Sequence, residues 1–377
     1  MKTTAVTLLT WLTLSAPILA ATTATEPLLS QPLLAEKKAL LGSENNPGTI
    51  TFYLENDLFA DTDQQYTNGV RFSWTSPDLT SYLDDENLPV WARQYNRYIT
   101  APLGVFDDTP PKQDEIVRNL VITLGQQMFT PKDSKRTTID PDDRPYAGWL
   151  YLGMGYHLKH KQRMDSAIMN IGLIGPASLA KEAQDLIHDV RGIDKFDGWD
   201  NQLNNELGLQ LVYERKYRTP VQRIKGAFEY DVIWHGGASL GNVATYLNAG
   251  AEMRFGWFLP DDFGTSSLRP GGDNSAPGKN DPRTQKTTGY SRDQNFGLHG
   301  FMALDGRWVL RDIFLDGNTF SNSHSVDKKN LVGDFSIGAS MLIDDWKLSY
   351  ARVFRSKEFD TQKETHSFGS FSASYSF

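Results

Sequence analysis

Residues 370–377 read SFSASYSF. On an extended chain Phe371, Ala373, Tyr375 and Phe377 fall on one face, and Ser370, Ser372, Ser374 and Ser376 on the other, because successive strand side chains point to opposite sides. The same period recurs upstream. Phe228, Tyr230, Val232 and Trp234 alternate with Ala227, Glu229, Asp231 and Ile233. Leu247, Ala249, Ala251, Met253, Phe255 and Trp257 alternate with Asn248, Gly250, Glu252, Arg254 and Gly256. Similar runs begin near Ile50, Tyr66, Leu120, Leu150, Ala167, Leu207, Phe335 and Trp346. Each is about the 9–11 residues that a tilted strand needs to cross a hydrocarbon core.

A soluble sandwich also alternates, but its strands average about 5–6 residues. Here the runs are longer, and one face carries Gly, Ser and paired charges that suit a polar lumen. Aromatic residues gather at strand ends (Trp74, Trp234, Trp257, Trp346, Phe377), as in the girdles at a membrane interface. The reading is an all-β protein, a transmembrane antiparallel barrel of about twelve strands in the outer membrane of a Gram-negative envelope. Phe296 to Asp312 reads as one long strand or two short ones. A soluble periplasmic sandwich is the alternative architecture.

Composition fits once the alternation is seen. The 377 residues are only 39% apolar, and 38 basic against 46 acidic side chains give 38 − 46 = −8. Averaged, that describes a soluble acidic protein; a barrel that is apolar outside and polar inside has the same average. The acidic balance argues against nucleic-acid binding, which runs on surplus Lys and Arg. The absence of cysteine excludes disulfides, thiolate metal sites and Cys nucleophiles.

Residues 1–20 have the anatomy of a secretory signal: Lys2, an apolar stretch from Val6 to Leu14, and a small-residue exit ending at Ala20 or Ala21. Residues 21–47 read as a loosely ordered lead-in, and 48–377 as the barrel. With both termini periplasmic, connections after odd-numbered strands face the exterior. Three polar clusters then meet at the outer rim: Asn56, Asp57 and Thr67; Lys135, Arg136, Asp143 and Arg144; and residues 175–205 with His188. Residues 77–117 and 259–294 come out periplasmic, where short turns are the norm. The first reads as helical through Leu88 to Tyr98.

Each cluster has two readings. Glu55-Asn56-Asp57 offers the hard oxygen ligands that calcium takes, or plain turn formers at a strand end. Strand phase points Asn56 outward unless a bulge turns it. Thr67 shares the lumen face of Arg71, Ser73 and Thr75, as a site residue or an ordinary strand threonine. Lys135-Arg136 is a phosphate clamp for an anionic glycolipid or a solvated pair. His188 is of the side-chain type suited to general-base work near neutrality, or is a loop bystander. Gly237-Ala238-Ser239-Leu240-Gly241 matches G-x-S-x-G but lies between alternating strands, where paired glycines make an exterior turn rather than the strand–elbow–helix a nucleophile needs. Asp61-x-Asp63 is too short for an EF-hand loop.

Several stretches together resemble the LpxR-type lipid A deacylases: YLENDLF (53–59), YTNGVRFSW (66–74), GQQMFTPKDSKR (125–136), DRPYAGWLYLG (143–153), the segment 174–203 around His188, and HGGASLGN (235–242). These motifs run from the first strand to about the eighth. The resemblance implies an outer-membrane barrel enzyme that hydrolyses the 3′-linked acyloxyacyl ester of lipid A in lipopolysaccharide. It implies a calcium-dependent reaction in which His188 is the base that activates water. Asn56 and Asp57 match the calcium site, Thr67 a site threonine, and Lys135 and Arg136 a basic pair. No serine intermediate is implied, in keeping with the discounted Ser239. Phe377 is similar to the terminal signal that such barrels show to their assembly machinery. A non-enzymatic pore or structural barrel, or another esterase or phospholipase, are the competing functions.

Overall fold

The computed structural model describes residues 42–43, 46–56, 65–82, 85, 88–99, 116–226, 228–264, 275–278, 281, 283 and 296–377, with the side chains of 43, 65–67, 95, 98, 99 and 225 excepted. The signal segment, most of the lead-in and Asp57 lie outside the described residues.

Among the described residues twelve strands form the barrel. They are β1 (Thr49–Asn56), β2 (Gln65–Thr75), β3 (Ile116–Thr130), β4 (Ala147–His160), β5 (Arg163–Ile174), β6 (Glu206–Arg218), β7 (Phe228–Gly241), β8 (Ala244–Trp257), β9 (Phe296–Asp312), β10 (Leu331–Ile343), β11 (Trp346–Arg355) and β12 (His366–Ser376). Each pairs antiparallel with its sequence neighbours, and β12 pairs with β1, which closes the sheet. A short strand, Gln222–Lys225, pairs with the start of β7 where β6 has ended. Closure follows from the solvent: hydrocarbon offers backbone N–H and C=O no partner, so a sheet without edges is the strand solution.

Phe296–Asp312 is one strand of seventeen residues. The long strands exceed the crossing length, so they carry the wall beyond the bilayer. Two-residue turns at 161–162 and 344–345 mark one end, and long connections at 131–146, 175–205, 313–330 and 356–365 mark the other. Periplasmic turns are short and exterior loops long, so the second end faces outward.

The alternation sorts as expected along the closing seam. Thr49 and Thr51 of β1 share hydrogen bonds of 3.1 and 2.9 Å with Ser376 and Ser374 inside the lumen, while Phe371 pairs across from Leu54 on the outside. Ser239 is a strand residue of β7, not part of a turn. It faces the lumen, receives Gln210 Nε2 at 3.1 Å and donates to the Ala244 carbonyl at 2.9 Å. That is strand packing, not a nucleophile elbow.

The lumen is filled at both ends. On the exterior side a single turn, α3 (Ile313–Asp316), begins with the Asp312 carboxylate accepting the Phe314 N–H. Phe314 stacks on Phe129 at 4.2 Å within an apolar cluster that includes Trp149, Tyr151 and Phe368. At the periplasmic end the 258–283 connection turns inward rather than forming a tight turn. Its Asp262 accepts Arg254 Nη1 at 2.6 Å and Lys347 Nζ at 2.5 Å, and lies 3.5 Å from Arg283. Arg254 also forks onto Asp231 at 2.9 and 2.6 Å. All these side chains are buried. Burial alone would raise the Asp262 pKa, but Lys347, Arg254 and Arg283 outweigh it and hold the carboxyl well below the usual range.

The 76–99 connection runs outside the wall. Leu79 bridges to Arg118 beyond the end of β2. Leu79, Tyr82, Leu88 and Ala92 then pack on Leu120, with Trp74, Ile122, Met154 and Tyr156 of the outer face beside them. The expected helix is α1 (Val90–Ile99), which sits on the barrel's periplasmic flank.

Candidate functional site

The fifth connection carries the helix α2 (Ala180–Arg191). It is held against the wall by close approach at Gly148 of β4, where any Cβ would collide with Ser178 Oγ and Ala180 Cβ. Gln126 of β3 donates to the Ser178 carbonyl at 2.6 Å. The helix stops at Gly192, whose φ of 66° is the left-handed conformation glycine adopts without penalty. The chain then folds back, and Trp199 Nε1 donates to Gln184 Oε1 at 2.7 Å.

This return places Asp194 against His188. His188 Nδ1 lies 2.6 Å from the Asp194 carbonyl oxygen, and the ring meets Phe196 edge-on at 5.8 Å. A carbonyl only accepts, so Nδ1 carries the proton and Nε2 keeps the lone pair. The imidazole is buried, and Phe196 belongs to an apolar cluster with Met128, Tyr146, Ala180 and Trp199.

The third connection docks on the fifth. Asp197 N donates to the Ser134 carbonyl at 2.8 Å, and Asn201 Nδ2 to the Thr137 carbonyl at 2.8 Å. Lys135 Nζ lies 3.3 Å from the Asp194 carboxylate and 4.0 Å from Asp197. One residue, Asp194, thus joins two expected site residues, His188 through its backbone and Lys135 through its side chain. Arg136 turns instead to its own loop, pairing with Asp140 at 2.6 Å. It lines a cavity of about 410 Å³ between the third and last exterior connections, with Lys132, Asp142, Lys363 and His366 among its walls. His188 is not in that cavity's lining. Both cations therefore have carboxylate partners. Exposed pairs of this kind contribute about 0–1 kcal/mol, so an incoming phosphate can replace them.

Asn56 ends β1, across from Asn68 of β2 and Gly369 of β12. It is buried although it follows Ile50 and Phe52 on the outward phase. The bulge lies on the partner strand: Tyr66 pairs with Phe129 and Asn68 with Met128, so Thr67 is the extra residue. The alternation breaks there, and phase no longer fixes the direction of Thr67, whose side chain lies outside the described residues. Asn68 Oδ1 is buried with no hydrogen-bond partner. Asn68, Asp194 and the Gln184–Trp199 pair were not singled out from sequence. Only Asn68 had a signal there, its position opposite Asn56 in the first hairpin.

Calcium takes hard oxygen donors, carboxylate and amide alike. The Asn56 amide and the unpaired Asn68 oxygen opposite it fit that donor set, while the neighbouring Glu55 carboxylate is on the lumen face, where it accepts Ser370 Oγ at 2.9 Å. Asp57 is next along the chain but outside the described residues. No group of three or more His, Asp or Glu suited to a metal occurs among the described residues.

If the approach at Gly148 positions α2, then Gly148→Val pushes the helix outward. The expected cost is about 1–3 kcal/mol of overpacking, read as a lowered unfolding midpoint.

Residues 8–377 match the family described as outer membrane protein LpxR. Among solved structures the fold is similar to LpxR from Salmonella typhimurium, with a TM-score of 0.62 at 17% identity over 87% of this chain and all of that one. The β domain of the Bordetella autotransporter BrkA gives a TM-score of 0.39 at 7% identity, over 88% of this chain and 98% of that chain. No curated protein sequence matches the chain.

Proposed function

Because the chain belongs to the family of the outer membrane protein LpxR, we propose that it is a lipid A deacylase of the outer membrane. Its substrate is lipopolysaccharide in the outer leaflet, and the bond hydrolysed is the 3′-linked acyloxyacyl ester. The observation that carries this reading is the hydrogen bond from His188 Nδ1 to the Asp194 carbonyl. It fixes the tautomer whose Nε2 accepts a proton from water as the hydroxide attacks the ester carbonyl. The imidazolium then returns that proton to the departing alkoxide. Trp199, through Gln184, holds the helix that aims the ring.

Asn56, Asn68 and Asp57 are the residues that would hold calcium. When bound, the ion supplies a Lewis acid that polarises the ester carbonyl. Thr67 belongs to the same hairpin. Lys135 and Arg136 stand on the exterior rim with exchangeable partners, where phosphates of an anionic glycolipid arrive.

The filled lumen supports an enzyme over a pore: α3 with Phe314 occupies the outer half and the Asp262 cluster the inner half. Mass spectrometry of lipid A exposed to the purified barrel tests the reading. With calcium, loss of the 3′-linked acyl mass is expected; with chelator, intact lipid A. Ser239→Ala should keep activity. Intact lipid A in every calcium sample would sink the proposal.

A further inference from the structure

We propose that α1 is an interfacial helix, lying in the periplasmic phospholipid leaflet with Val90 and Trp91 among the lipids. Pairing aligns one outward row across seven strands, from β11 and β12 through β1 to β5: Trp346, Tyr375, Ile50, Trp74, Ile122, Met154 and Met169. Ile50 and Met169 are 44% and 37% exposed, as lipid-facing residues of a barrel are. Between them Trp74, Ile122 and Met154 are partly covered, and what packs beside them is the segment Leu79–Ala92. The segment therefore stands at the height of residues that face lipid, and its own outer surface continues that belt. Trp74, within the covered stretch itself, is an aromatic of the kind that lines a membrane interface.

The helix is built for that place. Ala92 and Asn96 are buried toward the wall, and the Asn96 side chain bonds both the Tyr82 carbonyl and the Tyr156 hydroxyl. Tyr82 donates to the His157 carbonyl at 2.5 Å and packs edge-on to Tyr156 at 5.0 Å. These contacts lock α1 to the barrel. Away from the wall, Val90 and Trp91 are 47% and 48% exposed. At about 100° per residue, exposed Arg97 lies roughly 120° around the axis from Trp91, with Arg93 beside it. Val90 lies about 20° from Arg97, so Trp91 marks one flank and Val90 with the two arginines the other. An aromatic on one side and cations on the other suit a helix lying in a headgroup region with cations toward phosphates. The chain thereby gains a fixed depth and rotation in a membrane that its smooth wall alone would not impose.

The cysteine-free chain allows a direct test with the intact barrel. Trp91→Cys and, separately, Val90→Cys carry a polarity-sensitive fluorophore in vesicles of phosphatidylethanolamine and phosphatidylglycerol. Glu364→Cys in an exterior loop is the water-exposed reference. Heat-modifiable gel mobility selects folded protein for every variant. With iodide on both sides of the vesicle, the labels at 90 and 91 should be quenched several-fold less than the label at 364. Lipids carrying a nitroxide near the glycerol should quench them more. Iodide quenching at both positions equal to that at 364, with no effect of the lipid nitroxide, would overturn the proposal.

Discussion

Replacing His188 with alanine should abolish release of the acyl chain while leaving the barrel folded. General-base catalysis contributes about 10²–10⁴-fold in typical enzymes, and the charged neighbours at this corner of the rim cannot substitute. Lys135 and Asp194 neutralise each other. Because the ring packs edge-on against Phe196, its removal should lower the unfolding midpoint slightly. His188→Gln separates the roles further: an amide can keep the contact to the Asp194 carbonyl but cannot take a proton, so the fold should be retained and activity lost. Retained activity in either variant, measured by lipid A mass spectrometry, would refute the general-base role.

The second large effect concerns stability. Asp262→Asn removes the anion facing Lys347, Arg254 and Arg283, all buried. An uncompensated buried cation costs about 3–5 kcal/mol, so a marked fall in the temperature of heat-modifiable mobility is expected. Adding Lys347→Met should recover part of the loss, since the two sites are in contact. The pH sign follows from the depressed carboxyl of Asp262. Its contribution is fully present above the ordinary carboxyl value of about 4 and is lost only as pH falls through its much lower native value. Unfolding of the native chain should therefore be insensitive to this group from neutrality to mild acid and sensitive below. The Asp262→Asn variant should show a flatter acid limb.

The wall was legible because its physics is local. Phe371 and Ser372 must face opposite ways in any strand, and one fatty solvent makes that pattern repeat twelve times. Long-range events left weaker traces. Arg254 and Asp231 could be placed on the lumen phase from sequence, but the second carboxylate on Arg254, Asp262, sits in a connection with no period. The helical rhythm of 88–98 was visible, while its position outside the wall depended on the pairing that brings Tyr156 and Trp74 to one side of the barrel. At the site, His188 stood out as a side chain, whereas the group that fixes its tautomer is a backbone carbonyl, which every residue possesses and no sequence distinguishes. Thr67 shows the reverse: counting by twos put it in the lumen, and a single extra residue in β2 removed the basis for counting.

The seam between β1 and β12 carries a consequence for the order of events in assembly. Thr49 meets Ser376 across 327 positions of chain, so closing the barrel joins residues made at nearly opposite times. Loop closure over such a span is slow. Until it happens both outer strands present unpaired backbone, an invitation to aggregate. The chain must therefore be carried whole and unsealed to its membrane, and a truncation of even the final strand leaves an open sheet rather than a smaller barrel.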